Sequence, residues 1–135
     1  MADELEWPIE EIPDANSVFM RAHRDYFHRD GKLLPGVFRA QGAGMSVNWD
    51  KYASAEVTRQ QAGKHPDHNA VMSMPVMGIR RIDDLRVEHT PDMDTRNRAH
   101  SDVFGLPKKG EQLDEARVLL LRIHTIVIPL TCLSG

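Results

Sequence analysis

The stretch from Met20 to Tyr52, MRAHRDYFHRDGKLLPGVFRAQGAGMSVNWDKY, restricts the fold more than any other part of the chain. Turn chemistry recurs in it at His28-Arg29-Asp30-Gly31, at Leu34-Pro35-Gly36 and in the glycine-loosened Gln41-Gly42-Ala43-Gly44. At such places Gly, Pro and Asp supply the dihedral angles that a reversal needs. Around these reversals the side chains alternate, which is the period of a strand. Residues 17–26 place Val18, Met20 and Ala22 on one face and Phe19, Arg21 and His23 on the other, both partly apolar, as in an internal strand. Residues 37–40 read as a short return strand. Met45, Val47 and Trp49 then alternate with Ser46 and Asn48, apolar inward and polar opposite.

Downstream, Asp50 or Ser54 is placed to cap a short helix that runs to about residue 62, with Gly63 at its end. Residues 64–69 form a loop. Residues 71–74 and 76–82 read as two strands interrupted at Pro75, which suits an edge or a bend. Residues 85–89 and 98–104 alternate again, the second setting His100, Asp102 and Phe104 on one face. Leu113, Ala116, Leu120 and Ile123 recur at helical spacing, with acids early and arginines late as the helix dipole favours. The β-branched residues after His124 suit an extended finish.

The expectation is an α+β fold: a single compact domain over residues 17–135, built on a mainly antiparallel or mixed sheet with two short helices. An acidic arm, residues 1–16, precedes it. Pro8 and Pro13 forbid a continuous helix there, and Trp7, Ile9 and Ile12 are expected to dock on the body or on a partner.

Charge and composition limit the function. The chain of 135 residues carries a net charge of −3, yet six acids and no base precede Arg21, leaving 14 acids against 17 bases in the rest, a balance of +3. A mildly basic body behind an acidic arm does not match a binder of nucleic acid duplexes, which gathers Lys and Arg on one face. No run of about 18 apolar residues is present, so no membrane span is expected. The acidic start, MADELEWPIE, gives no expectation of a secretory leader, and a lone cysteine, Cys132, allows no disulfide within the chain. A reducing, cytoplasmic setting follows from both.

Chemistry-bearing residues fall into pairs. Arg21 and His23, Ser46 and Asn48, and His100 and Asp102 each have i, i+2 spacing and so share a face of their strand. If the three strands join one sheet, six polar groups converge. Arg21 offers a fork for phosphate or carboxylate and Asn48 an amide, both as ligand-binding groups. His23 and His100 suit acid–base work, Asp102 would orient an imidazole, and Ser46 would donate a hydrogen bond or serve as nucleophile beside a base. The bland alternative is the solvent face of a half-covered sheet.

Of seven histidines, His65 and His68 form H-x-x-H around Asp67, with His89 and His100 as the candidates to complete a metal site. The helical H-E-x-x-H spacing and a cysteine pair are missing, so the loop reads as solvated imidazoles and no metal is expected. No serine lies in G-x-S-x-G, and Gln41–Gly44 lacks the phosphate-loop spacing. A strand-borne Arg or His (Arg21 or His23), a serine on a later strand (Ser46) and then an acid (Glu88 or Asp102) resembles the order in small ADP-ribosyltransferase-like domains. That likeness rests on single residues in order, which does not make the chain a member. It would imply a nicotinamide dinucleotide held by the first two positions and a ribose oriented by the acid.

The reading on function is therefore a small intracellular enzyme or ligand-binding domain for a nucleotide-like or other anionic ligand, with no cofactor named. The competing reading is a non-catalytic module that meets a protein partner, or a second copy of itself, through the arm.

Overall fold

A computed structural model describes residues 6–130, with Cys132 outside them. Six strands form one antiparallel sheet: β1 (Ser17–His23), β2 (Met45–Trp49), β3 (Asn69–Pro75), β4 (Arg86–His89), β5 (His100–Phe104) and β6 (Thr125–Ile128), in the order β4-β5-β2-β1-β3-β6. Three helices accompany them: α1 (Ala55–Gln60), α2 (Val76–Arg80) and α3 (Gly110–Ile123). The α+β class holds, and every strand pairing is antiparallel.

Register assigns the faces. Val18 lies opposite Trp49 and Met74, Met20 opposite Met72, Met45 opposite Val103, and Val87 opposite Val103. These side chains point one way and join a single buried cluster with Ile12, Phe38, Ile79, Ala116 and Leu120. The apolar face is thus covered by α2, α3, the Pro35–Phe38 turn and the arm. Burial on this scale, roughly 1.5–3 kcal/mol for each large apolar side chain, is what holds the sheet to its helices. The opposite face carries Phe19, Arg21, His23, Ser46, Asn48, Asn69, His100 and Asp102. Of the three helices, α1 packs there, mainly against β1 and β3.

Local chemistry explains the helices. Ser54 caps α1 by accepting from the Val57 N–H at 3.1 Å, and Gly63 follows in the left-handed region at φ +89°. Two expected strands are absent. Residues 76–82 form α2 and its C-terminal turn: Pro75 ends β3, and Val76, Ile79 and Ile82, three apart, all turn into the core. Residues 37–40 follow a 3-10 turn at Pro35–Val37 that drives Val37 and Phe38 inward, so the chain there packs without pairing. The helices therefore number three among the described residues, and α3 is long. Its continuation into β6 agrees with the β-branched tail.

The arm lies on the body. Ile12 is 2% exposed, its carbonyl accepts from the Arg80 guanidinium at 2.7 Å, and Trp49 Nε1 donates to Asn16 Oδ1 at 2.8 Å. Ile9 is 77% exposed. Among the described residues no helix is long and apolar enough to cross a membrane.

Candidate functional site

The polar pairs meet because β5, β2 and β1 are neighbours. Asn48 lies opposite Phe19 on one side and His100 on the other, and Ser46 lies opposite Asp102. The join between β1 and β2 is short, with Cα partners only at Val18↔Trp49 and Phe19↔Asn48. Beyond it, β1 stays with β3 as far as His23, and β2 stays with β5 as far as Met45. The strands part, and a cavity of about 620 Å³ opens between them. Arg21, His23, Ser46, Asn48 and His100 line it. Asp102 does not.

The parting exposes backbone as well as side chains. Asp50 N–H donates to the Ser17 carbonyl at 3.1 Å, so odd-numbered residues of β1 direct their backbone groups toward β2. Arg21 and His23 therefore present theirs to the gap. On the other bank Ser46 N–H, which would continue the ladder, is taken by Gln41 Oε1 at 3.0 Å.

Arg21 donates from Nη1 to the Thr58 carbonyl at 2.9 Å, near the C-terminal end of α1. Among the described residues it pairs with no carboxylate. Arg21 is exposed at the cavity, and partial desolvation by the surrounding protein lowers the pKa of its guanidinium. Arg39, exposed at the same cavity, is a second cation.

Asn48 is buried, and its amide is engaged by protein. Nδ2 donates to Thr58 Oγ1 at 3.0 Å and to Gln61 Oε1 at 2.8 Å, while Oδ1 accepts from Asn97 Nδ2 at 2.8 Å. It joins β2, α1 and the β4–β5 connection, shaping the wall. His23 Nδ1 accepts from Asp25 N–H at 3.1 Å, which leaves the proton on Nε2 and makes this ring a donor toward a ligand.

His100 is held differently. Its Nδ1 sits 2.8 Å from the Thr90 carbonyl and 3.1 Å from Thr90 Oγ1, and its Nε2 sits 3.3 Å from Ser46 Oγ. Asp102 Oδ2 accepts from Thr90 Oγ1 at 2.8 Å, so the acid meets Thr90 where direct contact with the imidazole was expected. Asp92, also at the cavity, is held below the ordinary carboxylate range by a hydrogen bond from Thr95, backbone donors and His100 nearby.

Compared with known protein families, with curated proteins and with solved structures, the chain matches none. Its chemistry is read from its own geometry. The residues that sequence reasoning missed are Thr90, Arg39, Gln41 and Asn97. Thr90 acts partly through its carbonyl, a group with no sequence signature, and Arg39 falls in residues 37–40, which read as a strand but form none. Glu88 pairs with Arg86 at 3.0 Å and is not among the residues lining the cavity.

The histidine groups separate. His89 is 1% exposed, with Nε2 2.7 Å from the Arg98 carbonyl and Nδ1 accepting from Glu10 N–H at 3.0 Å. It cannot complete a metal site with His65 and His68. Those two stack at 4.5 Å, and with Asp67 their ligand atoms all lie within 4.8 Å of one another. Partial burial, with Arg24 nearby, lowers the pKa of His68. Three such donors on one turn could hold a divalent ion with solvent completing its shell.

Proposed function

We propose that the cleft between β1 and β2 binds a small anionic ligand of nucleotide size. The observation that carries this is Arg21. A guanidinium has five N–H donors, and among the described residues one of them meets a protein acceptor, the Thr58 carbonyl. A guanidinium that no carboxylate balances among the described residues has a fork free for the oxygens of an anion. Supporting features are the second cation Arg39, the Nε2–H donor of His23, and the rings of Phe19 and Tyr26 on the cavity wall. The volume of about 620 Å³ falls within the roughly 300–1,000 Å³ of ordinary ligand sites.

The test is a melting-temperature panel with ADP, nicotinamide dinucleotide, phosphate and pyrophosphate. A ligand present at about 100 times its dissociation constant adds about 2.7 kcal/mol. A rise in Tm with any of these, absent in Arg21→Ala, supports the reading; a rise that survives the substitution removes Arg21 from it. A second reading, self-association, is favoured by β6, which forms one edge of the sheet with Val127 42% exposed. An edge strand offers unpaired backbone to another copy, and light scattering at two concentrations distinguishes a monomer from a dimer.

A further inference from the structure

We propose that Ser46 and His100 are a nucleophile and its general base, and that the cleft hydrolyses a carboxylic ester whose anionic end is held by Arg21. The substrate class rests on the ligand reading above; the nucleophile rests on separate geometry.

That geometry begins with the tautomer. Thr90 gives its hydroxyl hydrogen to Asp102 Oδ2 at 2.8 Å, so toward His100 its Oγ1 is an acceptor, as is its carbonyl oxygen. Nδ1 faces two acceptors and therefore carries the proton. The lone pair is left on Nε2, 3.3 Å from Ser46 Oγ. A hydroxyl at that distance donates to Nε2, and a serine so placed has the adjacent base that nucleophilic attack needs. In a Ser-His-Asp triad a carboxylate holds Nδ1 directly. Here a carbonyl and a hydroxyl hold it, and the carboxylate stands one hydrogen bond behind. Gly44 keeps Asp102 in position: a Cβ on Gly44 would lie 2.9 Å from Asp102 Cβ and 3.0 Å from Oδ1.

Ser46 is exposed at the cavity, so a substrate reaches Oγ without rearrangement. Its own N–H is engaged by Gln41 Oε1, which fixes the Gln41 amide beside the nucleophile. Gln41 and Arg39, which also line the cavity, carry N–H donors of the kind a developing oxyanion needs.

The reaction balances with water as the only co-reactant. Oγ bonds to the acyl carbon as its proton moves to Nε2. The bond from carbon to the leaving oxygen then breaks, and Nε2 returns the proton to that alkoxide. Water repeats the sequence: it loses a proton to Nε2 and bonds to the acyl carbon, and Oγ departs with the proton. Ester and water become acid and alcohol, with no change of oxidation state.

The experiment uses the full chain and a small neutral alkyl fluorophosphonate, which forms a stable bond only with an activated serine. Intact mass and peptide mapping should find a single adduct, on Ser46. The rate should fall by roughly 100-fold or more in His100→Gln, within the usual contribution of a general base. Ser46→Ala should abolish the adduct while still binding any anion that shifts the wild type. Melting curves confirm that each variant is folded, and His100→Ala replaces His100→Gln if the latter is not. No adduct on Ser46, or one that forms equally fast without His100, overturns the dyad. Labelling through His100 with no anion bound upholds the dyad and removes the anionic substrate. Anion binding without labelling does the reverse.

Discussion

His89 and His100 lie one step apart across the β4–β5 ladder and on opposite faces of the same sheet. His89 has both ring nitrogens bonded to backbone and packs edge-on to Trp49, with ring centroids 5.1 Å apart. Around it Glu10 meets Lys51, Tyr52 and Arg98, so this carboxylate of the arm is balanced by the body. His100 is half-buried and aims one nitrogen at an exposed serine in a cavity also lined by Arg21, which no carboxylate pairs among the described residues. The same residue type is a structural peg on the filled face and, in the proposed dyad, the base on the open one. The difference lies in what completes its hydrogen bonds.

The comparison is broken most directly at His89. His89→Ala leaves Glu10 N–H and the Arg98 carbonyl unpartnered beside a cavity, at a cost of about 3–5 kcal/mol. The melting temperature should fall by about 10 °C or more. His100→Ala should lower it far less while removing fluorophosphonate labelling; equal losses would mean that both rings are pegs. Asn48→Ala comes next, at about 2 kcal/mol, because Thr58, Gln61 and Asn97 all lose a partner. A chemical denaturation curve unchanged by that substitution would return Asn48 to the ligand.

Arg21→Ala should cost about 1 kcal/mol, one hydrogen bond to Thr58, and abolish the anion-dependent rise in melting temperature. Gly44→Ala should cost about 1 kcal/mol through overpacking against Asp102 and also slow labelling at Ser46, since the new methyl displaces Asp102 and through it Thr90. Smallest is a pH effect at the arm. Hydrogen bonds from Lys51 and Tyr52 pull the Glu10 carboxyl from 4.5 down to about 2. A depressed carboxylate stabilises the fold above its ordinary pKa and loses that contribution as pH falls toward the depressed value. The melting-temperature gap between wild type and Glu10→Gln should hold steady above pH 5 and close as pH falls to about 2.

Much of the open face was legible in the sequence, because alternation alone puts Arg21 with His23, Ser46 with Asn48, and His100 with Asp102 on shared faces. What alternation does not encode is strand order, which ladders between residues far apart in sequence decide. Val76, Ile79 and Ile82 misled because β-branched residues favour strands, although their spacing is that of the buried helical side they form. Val37 and Phe38 misled because Pro35 opens a 3-10 turn that buries both without a partner strand. The orientation of His100 was hidden because it depends on the backbone oxygen of Thr90.

The short join at Val18↔Trp49 and Phe19↔Asn48 divides the sheet into two three-stranded ribbons, β4-β5-β2 and β1-β3-β6. Each ribbon carries one bank of the cleft, Ser46 and His100 on the first, Arg21 and His23 on the second. A molecule that touches both banks therefore acts as a seventh element of the sheet, a rung where the protein leaves one out. Its binding would register in the amide exchange of Arg21 and His23, whose backbone groups border that missing rung.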